Sequence, residues 1–228
     1  MAAPATDGPA FLRLVAHDLH APLATVRTML SLLVRGHLGE LQPPQADLLG
    51  RVEQRLSCLQ ALVDDFMDLQ ALRAHSGTPG PTEICSVARV ACSRMEGSAR
   101  VSGSSLSLEA TADVVLATIP AADLELALDH LLENAVKYGR GGPILVRVDD
   151  SADAARVVVS DGGIGISEAA RTRLFEPLYR APEATALAPG SGLGLLIVRE
   201  AVERCGGTVH VAGAEGKGTT VTVTLPRG

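Results

Sequence analysis

Seven residues near the start of the chain, AHDLHAP from Ala16 to Pro22, hold two histidines, an aspartate and a proline inside an otherwise apolar helical pattern. Imidazoles three residues apart share one helix face, so His17 and His20 are both candidates for nucleophilic or acid–base work. Three later stretches carry a different chemistry. In VVVSDGGIGI a β-branched strand runs into Asp161, Gly162, Gly163 and Gly165. Glycines directly after a strand let the backbone approach a ligand, and an aspartate there can accept from an exocyclic amine such as adenine N6. The bland alternative is a strand ending in a glycine turn. In PGSGLGLLIV, Gly190, Gly192 and Gly194 precede a helix, an arrangement that offers unpaired N–H groups and a positive dipole end to phosphate, or simply a flexible cap. In HLLENAVKYG, Asn134 shares a helix face with His130 and Lys137. An Asn oxygen can complete an Mg²⁺ shell that also holds phosphate oxygens, and Lys137 can meet phosphate as a point charge. An ordinary polar helix face explains Glu133 well and Asn134 poorly, since Asn is an indifferent helix former.

These groups require elements that hold them. From Phe11 to about His75 the apolar spacing is helical: Leu19, Leu23, Val26, Leu30 and Leu33, then Leu49, Val52, Leu56, Leu59, Val63 and Phe66. Steps of three and four make a heptad seam. RGHLGELQPPQ separates two helices, its glycines ending the first and Pro43-Pro44 opening the second. Apolar residues beside the seam, such as Leu32, Leu48, Leu62 and Leu69, widen the stripe beyond what two helices can bury. Two hairpins packed as a four-helix bundle can bury it, so a homodimer is expected. The domain reading is a hairpin over 1–75, a Gly/Pro-rich linker over 76–83 and a second domain over 84–228. In that domain SLSLEA, VVLATIP, PILVRVDD and ARVVVSDG read as strands, and AADLELALDHLLENAVKYG, SEAARTRLF and SGLGLLIVREAVERCGG as helices. TVHVAGAEGKGTTVTVTLP reads as a closing hairpin, and Arg180–Gly192 as a mobile loop. The fold class is α+β.

Composition narrows the function. The 228 residues carry a formal charge of −6, and aromatics are only 2%. Leu, Val and Ala must therefore build the core, and neither the basic stripe nor the stacking platforms of a nucleic-acid binder are present. Cys58, Cys85, Cys92 and Cys205 form no CxxC pair and read as reduced thiols. The sequence shows no secretory leader, and no apolar run approaches the about 18–20 residues that span a bilayer. A soluble cytoplasmic protein, or the cytoplasmic part of a larger and even membrane-anchored one, is expected.

The three later boxes, in this order, resemble the nucleotide site of the GHKL ATPase superfamily. With HDLHAPL in front, the chain resembles the catalytic core of sensor histidine kinases of two-component systems from Phe11 to Pro226. HDLHAPL looks like their H box, HLLENAVKYG their N box, DGGIGI and GSGLGL their glycine boxes, and RLFEPLYR the F box that starts an ATP lid. The resemblance implies a four-helix dimerisation bundle followed by an α/β-sandwich ATP-binding domain. It implies His17 as phospho-acceptor and Asp18 as its general base, Asp161 holding adenine, Asn134 holding Mg²⁺, and Lys137 and Arg180 on phosphates. Tyr138 would line the nucleoside pocket. Gly163, Gly165, Gly192 and Gly194 would shape it and hinge the lid, with Leu193 and Thr219 also at the ATP site. The partners implied are a second copy, the receiver domain of a response regulator, and an upstream sensor domain or separate sensor protein.

His20 stands where the family usually has Arg and reads as an exposed polar residue. Ala21 stands where Thr or Asn commonly positions the hydrolytic water, which predicts weak phosphatase activity. His130 replaces the first Asn of the N box. Competing readings are a histidine phosphotransferase with the same fold and no ATP use, and another GHKL protein such as an anti-sigma kinase or chaperone-type ATPase. Intact glycine and N boxes argue against the first, and the H box on a hairpin against the second.

Overall fold

A computed structural model of the chain describes residues 8–37, 39–74, 80–151 and 153–228; the side chains of residues 8–15 and of His17 lie outside that description. The chain divides into two compact units, Met1–Ala74 with Pro189–Ser191, and His75–Ala188 with Gly192–Gly228.

The first unit is a helical hairpin of α1 (Gly8–Val34) and α2 (Pro43–Ala74). Helix α1 runs unbroken through Pro22. It ends as a Schellman motif: Gly36 takes φ 74°, its N–H donates to Leu33 O, and the His37 N–H donates to Leu32 O. Only a residue free to adopt positive φ closes a helix in this way. Pro43 and Pro44 start α2, where a missing N–H costs nothing. On α2, Leu56 and Val63 are buried, with Leu69 and Leu72 further on. Val52 and Leu59, the alternate members of the same seam, stay exposed, as do Leu19, Val26, Met29 and Leu32 on α1. One partner helix covers half of a heptad stripe and no more.

The second unit is a two-layer α/β sandwich. Its sheet has the order β2-β4-β5-β7-β6, from β2 (Leu106–Ala110), β4 (Ile144–Asp150), β5 (Ala154–Asp161), β6 (Thr208–Gly213) and β7 (Thr219–Pro226). Strands β2 and β4 are parallel and the remaining pairs antiparallel. Alternation decides which face is buried. Ile144, Val146, Val148, Ala155, Val157, Val159, Val221, Val223 and Leu225 point to the core, and register pairs Val146 with Val159 and Val159 with Val221. Helices α3 (Ile84–Val101), α4 (Ala121–Tyr138) and α7 (Gly194–Glu203) lie side by side over that face. Their apolar stripes bury Leu124, Leu128, Leu131, Leu132, Ile197 and Val198.

Four segments differ from the sequence expectation. Helix α3 has no counterpart among the elements read from the sequence. Its buried Ile84, Val87, Ala88, Ala91 and Ala99 do follow helical steps, but Ala, Ser and Gly dilute the apolar signal. Its cap is also unusual: the Glu83 carboxylate accepts from the Cys85 and Ser86 N–H groups at 2.9 and 2.7 Å, in place of the usual Ser, Thr, Asp or Asn. Burial pushes the Glu83 carboxyl up, yet the N–H groups of Ser86, Val115 and Cys85 outweigh it and hold it below the usual range. The expected linker 76–83 ends in β1 (Pro81–Glu83), which pairs with β3 (Leu116–Thr118) and is anchored by the Thr82 hydroxyl donating to Ile119 O. Residues 76–79 of that expected linker lie outside the described residues. The expected loop 180–192 contains α6 (Pro182–Leu187); Pro182 suits a first helical turn, and Ala184 and Ala186 favour continuing it. The expected helix over 167–175 is one turn, α5 (Glu168–Arg171).

Candidate nucleotide site and phospho-acceptor helix

In the sandwich, α4 ends at Tyr138 and β5 ends at Asp161, and backbone joins the two. The Ile164 N–H donates to Tyr138 O at 3.1 Å. A Cβ on Gly163 would lie 1.9 Å from that same carbonyl oxygen, so no other residue fits there without moving α4 or the strand end. On the far side of the same turn, the Gly218 N–H donates to Gly163 O and the Gly216 N–H to Ile164 O. Gly165, at φ 69°, would place a Cβ 1.8 Å from Ala214 O. The first glycine box is thus packed between the end of α4 and the turn joining β6 to β7. Gly163 and Gly165 are required by backbone contact, and the outcome is a fixed position for Asp161.

The Asp161 carboxylate accepts from its own turn, the Gly163 N–H, at 2.8 Å and from the Thr219 N–H of the facing strand. Burial nonetheless pushes its pKa up, the two N–H donors only partly offsetting it. A half-buried carboxylate short of donors gains from one more, such as an exocyclic amine. One turn back along α4 from Tyr138 lies Asn134, half-buried. A Cβ on Gly194, the first residue of α7, would lie 3.9 Å from Asn134 Nδ2 and 3.3 Å from His130 Nδ1. The start of α7 therefore closes against the face of α4 that carries His130 and Asn134. The N–H groups at the start of α7 suit phosphate, and the Asn134 amide oxygen suits Mg²⁺, which keeps water and phosphate oxygens and takes few protein ligands. Leu193 is buried at the helix start and serves as packing. Its carbonyl accepts the Ile197 N–H.

The two cations expected on phosphates are engaged elsewhere. Lys137 Nζ donates to Glu133 at 2.8 Å along α4; an exposed i,i+4 pair of this kind is worth a few tenths of a kcal/mol and breaks readily. Arg180 donates to the carbonyls of Ala184, at 3.0 Å, and Ala188, capping the end of α6. The segment expected to form a lid is pinned at its base, where the Leu178 N–H donates to Gly192 O. Both residues hold positive φ, 63° and 79°, and a Cβ on Gly192 would meet the Leu178 carbonyl carbon at 2.7 Å.

In the hairpin, His17 lies within α1 and its side chain is outside the described residues. Asp18 and Ala21 are exposed, and the Ala21 carbonyl accepts the Thr25 hydroxyl at 3.0 Å. His20 is only half-exposed and bonded across the hairpin: its Nε2 lies 2.5 Å from Asp64 Oδ1 and its Nδ1 2.9 Å from Ala16 O. Asp64 was not legible as a partner, because a contact spanning 44 positions leaves no mark in local spacing.

Among the described residues, no helix is long and apolar enough to cross a membrane. Residues 119–228 match the family described as histidine kinase-, DNA gyrase B-, and HSP90-like ATPase, and residues 10–75 match the His Kinase A (phospho-acceptor) domain. The circadian input-output histidine kinase CikA of Synechococcus elongatus is 30% identical over 95% of this chain, which spans 29% of that protein. The signal transduction histidine-protein kinase/phosphatase MprB of Mycolicibacterium smegmatis is 32% identical over 92% of this chain, which spans 44% of it. The chain thus spans less than half the length of these two relatives. Among solved structures, full-length ShkA in complex with AMPPNP has a TM-score of 0.68 at 26% identity, covering 96% of this chain and 46% of that one. The mycobacterial sensor histidine kinase MprB has a TM-score of 0.57 at 28% identity, covering 65% of this chain and 97% of that one. With a phospho-acceptor match followed in the same chain by an ATPase match, and relatives 30–32% identical over more than nine-tenths of its length, the chain belongs to the sensor histidine kinases, as their catalytic core.

Proposed function

We propose that the chain binds ATP in the sandwich and transfers its γ-phosphoryl group to His17, from which it passes to an aspartate of a response-regulator receiver domain. The observation that carries this reading is the convergence of Asp161, Asn134 and the start of α7 around the end of α4. Asp161 would accept from the adenine amine, Tyr138 would line the nucleoside, and the Gly192–Gly194 turn would face the phosphates. Asn134 would hold Mg²⁺, which when bound neutralises phosphate charge. A neutral His17 ring nitrogen forms the bond to phosphorus as the bond to the ADP oxygen breaks. Asp18 would take the proton from the other ring nitrogen. Positioning and charge neutralisation supply most of such catalysis. Lys137 would have to leave Glu133, and Arg180 the α6 carbonyls, to reach phosphate.

The exposed half of the hairpin stripe supports a homodimer, two hairpins forming a four-helix bundle. The apolar Ala21 methyl supports weak phosphatase activity, since it offers nothing to orient a water. A second reading, a histidine phosphotransferase without ATP use, draws on the engagement of Lys137 and Arg180. Incubation with γ-labelled ATP and Mg²⁺ decides between them. Label is expected in the wild type and in His20→Ala, absent in His17→Ala and strongly reduced in Asn134→Ala. Label surviving in His17→Ala overturns the acceptor, and no nucleotide binding by calorimetry favours the phosphotransferase. Rapid dephosphorylation of the phosphorylated regulator would overturn the phosphatase reading.

A further inference from the structure

The contact that binds His20 between two helices has a consequence for the acceptor beside it. The Ala16 carbonyl can only accept a hydrogen bond, and so can an ionised Asp64 carboxylate. Both ring nitrogens of His20 face such acceptors, at 2.9 and 2.5 Å, an arrangement that a ring carrying hydrogen on both nitrogens satisfies at each end. We propose that His20 is a positioning residue for phosphorylation of His17: held as a cation between the Ala16 carbonyl and Asp64, it fixes a positive charge one turn beyond the acceptor and ties α1 to α2, and it gives up both roles when it loses its proton. The inference rests on His17 being the acceptor.

The surroundings favour the charged ring. Among the described side chains, the charged and titratable groups within about one turn of this contact along the two helices are Asp18 on α1, and Asp64, Asp65 and Asp68 on α2. Arg27, two turns along α1, donates weakly to Gln60 at 3.4 Å. Among the described side chains, acidic groups therefore outnumber cations at this level of the hairpin. The hydrogen bond to Asp64, then that to Ala16, raises the His20 pKa above its ordinary value against a small effect of burial. The proton is thus held to higher pH than on an ordinary histidine. A phosphoryl group added at His17 brings negative charge within one helical turn, about 5–6 Å between neighbouring Cβ atoms. An imidazolium there stabilises the phosphorylated form. By linkage the effect is reciprocal, so phosphorylation must tighten the hold of His20 on its proton.

The test has two arms on the whole chain. In the first, NMR follows the His20 ring without nucleotide. Its pKa is expected above 6.5 in the wild type and lower in Asp64→Asn. Asp64 is 58% exposed at its side chain, so that variant should fold. In the second, initial rates of labelling from γ-labelled ATP are compared with His20→Arg, whose charge does not titrate, between about pH 6 and 9. The wild-type rate relative to His20→Arg is expected to fall by about two- to fivefold as pH rises through the His20 titration, the scale of a surface ion pair. His20→Gln should show the low rate throughout, and Asp64→Asn should shift the fall to lower pH. A His20 pKa at or below 6.5, or one unmoved in Asp64→Asn, overturns the clamp. A pH-independent ratio to His20→Arg overturns the role in phosphorylation. Absence of label in every variant at every pH counts against the kinase reading itself, and the NMR arm still decides the clamp.

Discussion

The two units of this chain bury their apolar residues to very different degrees. In the sandwich Ile144, Val146, Val148, Ile197, Val198 and Leu225 are fully shielded. In the hairpin, Met29 and Leu48 expose 59% and 60% of their surface, and Val52 and Leu59 stand on the open side of the seam. The sandwich closes a core with its own sheet and helix layer. The hairpin has two helices for a stripe wide enough for four. The sandwich is thus a self-contained folding unit, whereas the hairpin presents a surface that association would complete.

The contrast can be broken or sharpened by substitution. The largest effect is expected for Ile197→Ala, which should cost about 2–5 kcal/mol of sandwich stability, read as a lower urea midpoint; Leu48→Ala should change it by less than about 0.5 kcal/mol. Next, Leu59→Ser should leave that midpoint in place but weaken self-association by about 1.5–3 kcal/mol for each leucine no longer buried between copies, read by analytical ultracentrifugation. Equal losses in both assays would remove the distinction between the units. Gly163→Ala should cost about 1–3 kcal/mol by overpacking against Tyr138 O and should also abolish nucleotide binding, because Asp161 moves with the turn. Glu83→Gln should cost about 1 kcal/mol, the worth of a cap. The Glu83 pKa is lowered on folding, so its contribution is present above the unfolded value and disappears as pH falls through the folded one. That acid-side loss should vanish in the variant. The smallest effect belongs to the exposed His20–Asp64 pair. Its stabilisation is full below the ordinary histidine pKa and fades as pH rises through the raised one, so hairpin stability should decline slightly with pH in the wild type and stay flat in His20→Gln.

The site was legible where local spacing carries the signal. Asn134 sits one helical turn from His130, Lys137 and Tyr138, and Asp161 ends a β-branched run, so residue types and intervals pointed to a nucleotide site without coordinates. Helix α3 was hidden because small alanines make up much of its buried stripe and a glutamate caps it. The roles of Lys137 and Arg180 were legible only as charges; that one is held by Glu133 and the other by the carbonyls of α6 depends on side-chain reach. His20 read as an unpartnered histidine because its partner is 44 positions away.

By itself the amino-acid sequence determined the order of the two units, the heptad stripe, the alternation of the central strands and the identity of the groups that could meet ATP. These are consequences of periodicity and residue chemistry, which act over a few positions. The tertiary structure decided what each glycine is for: Gly163, Gly165 and Gly218 are fixed by carbonyl oxygens of Tyr138, Ala214 and Asp161, contacts made by backbone from distant segments. It also decided that one of the two histidines in AHDLHAP holds a proton between two helices, since a ring nitrogen's charge is set by the acceptors that folding brings to it.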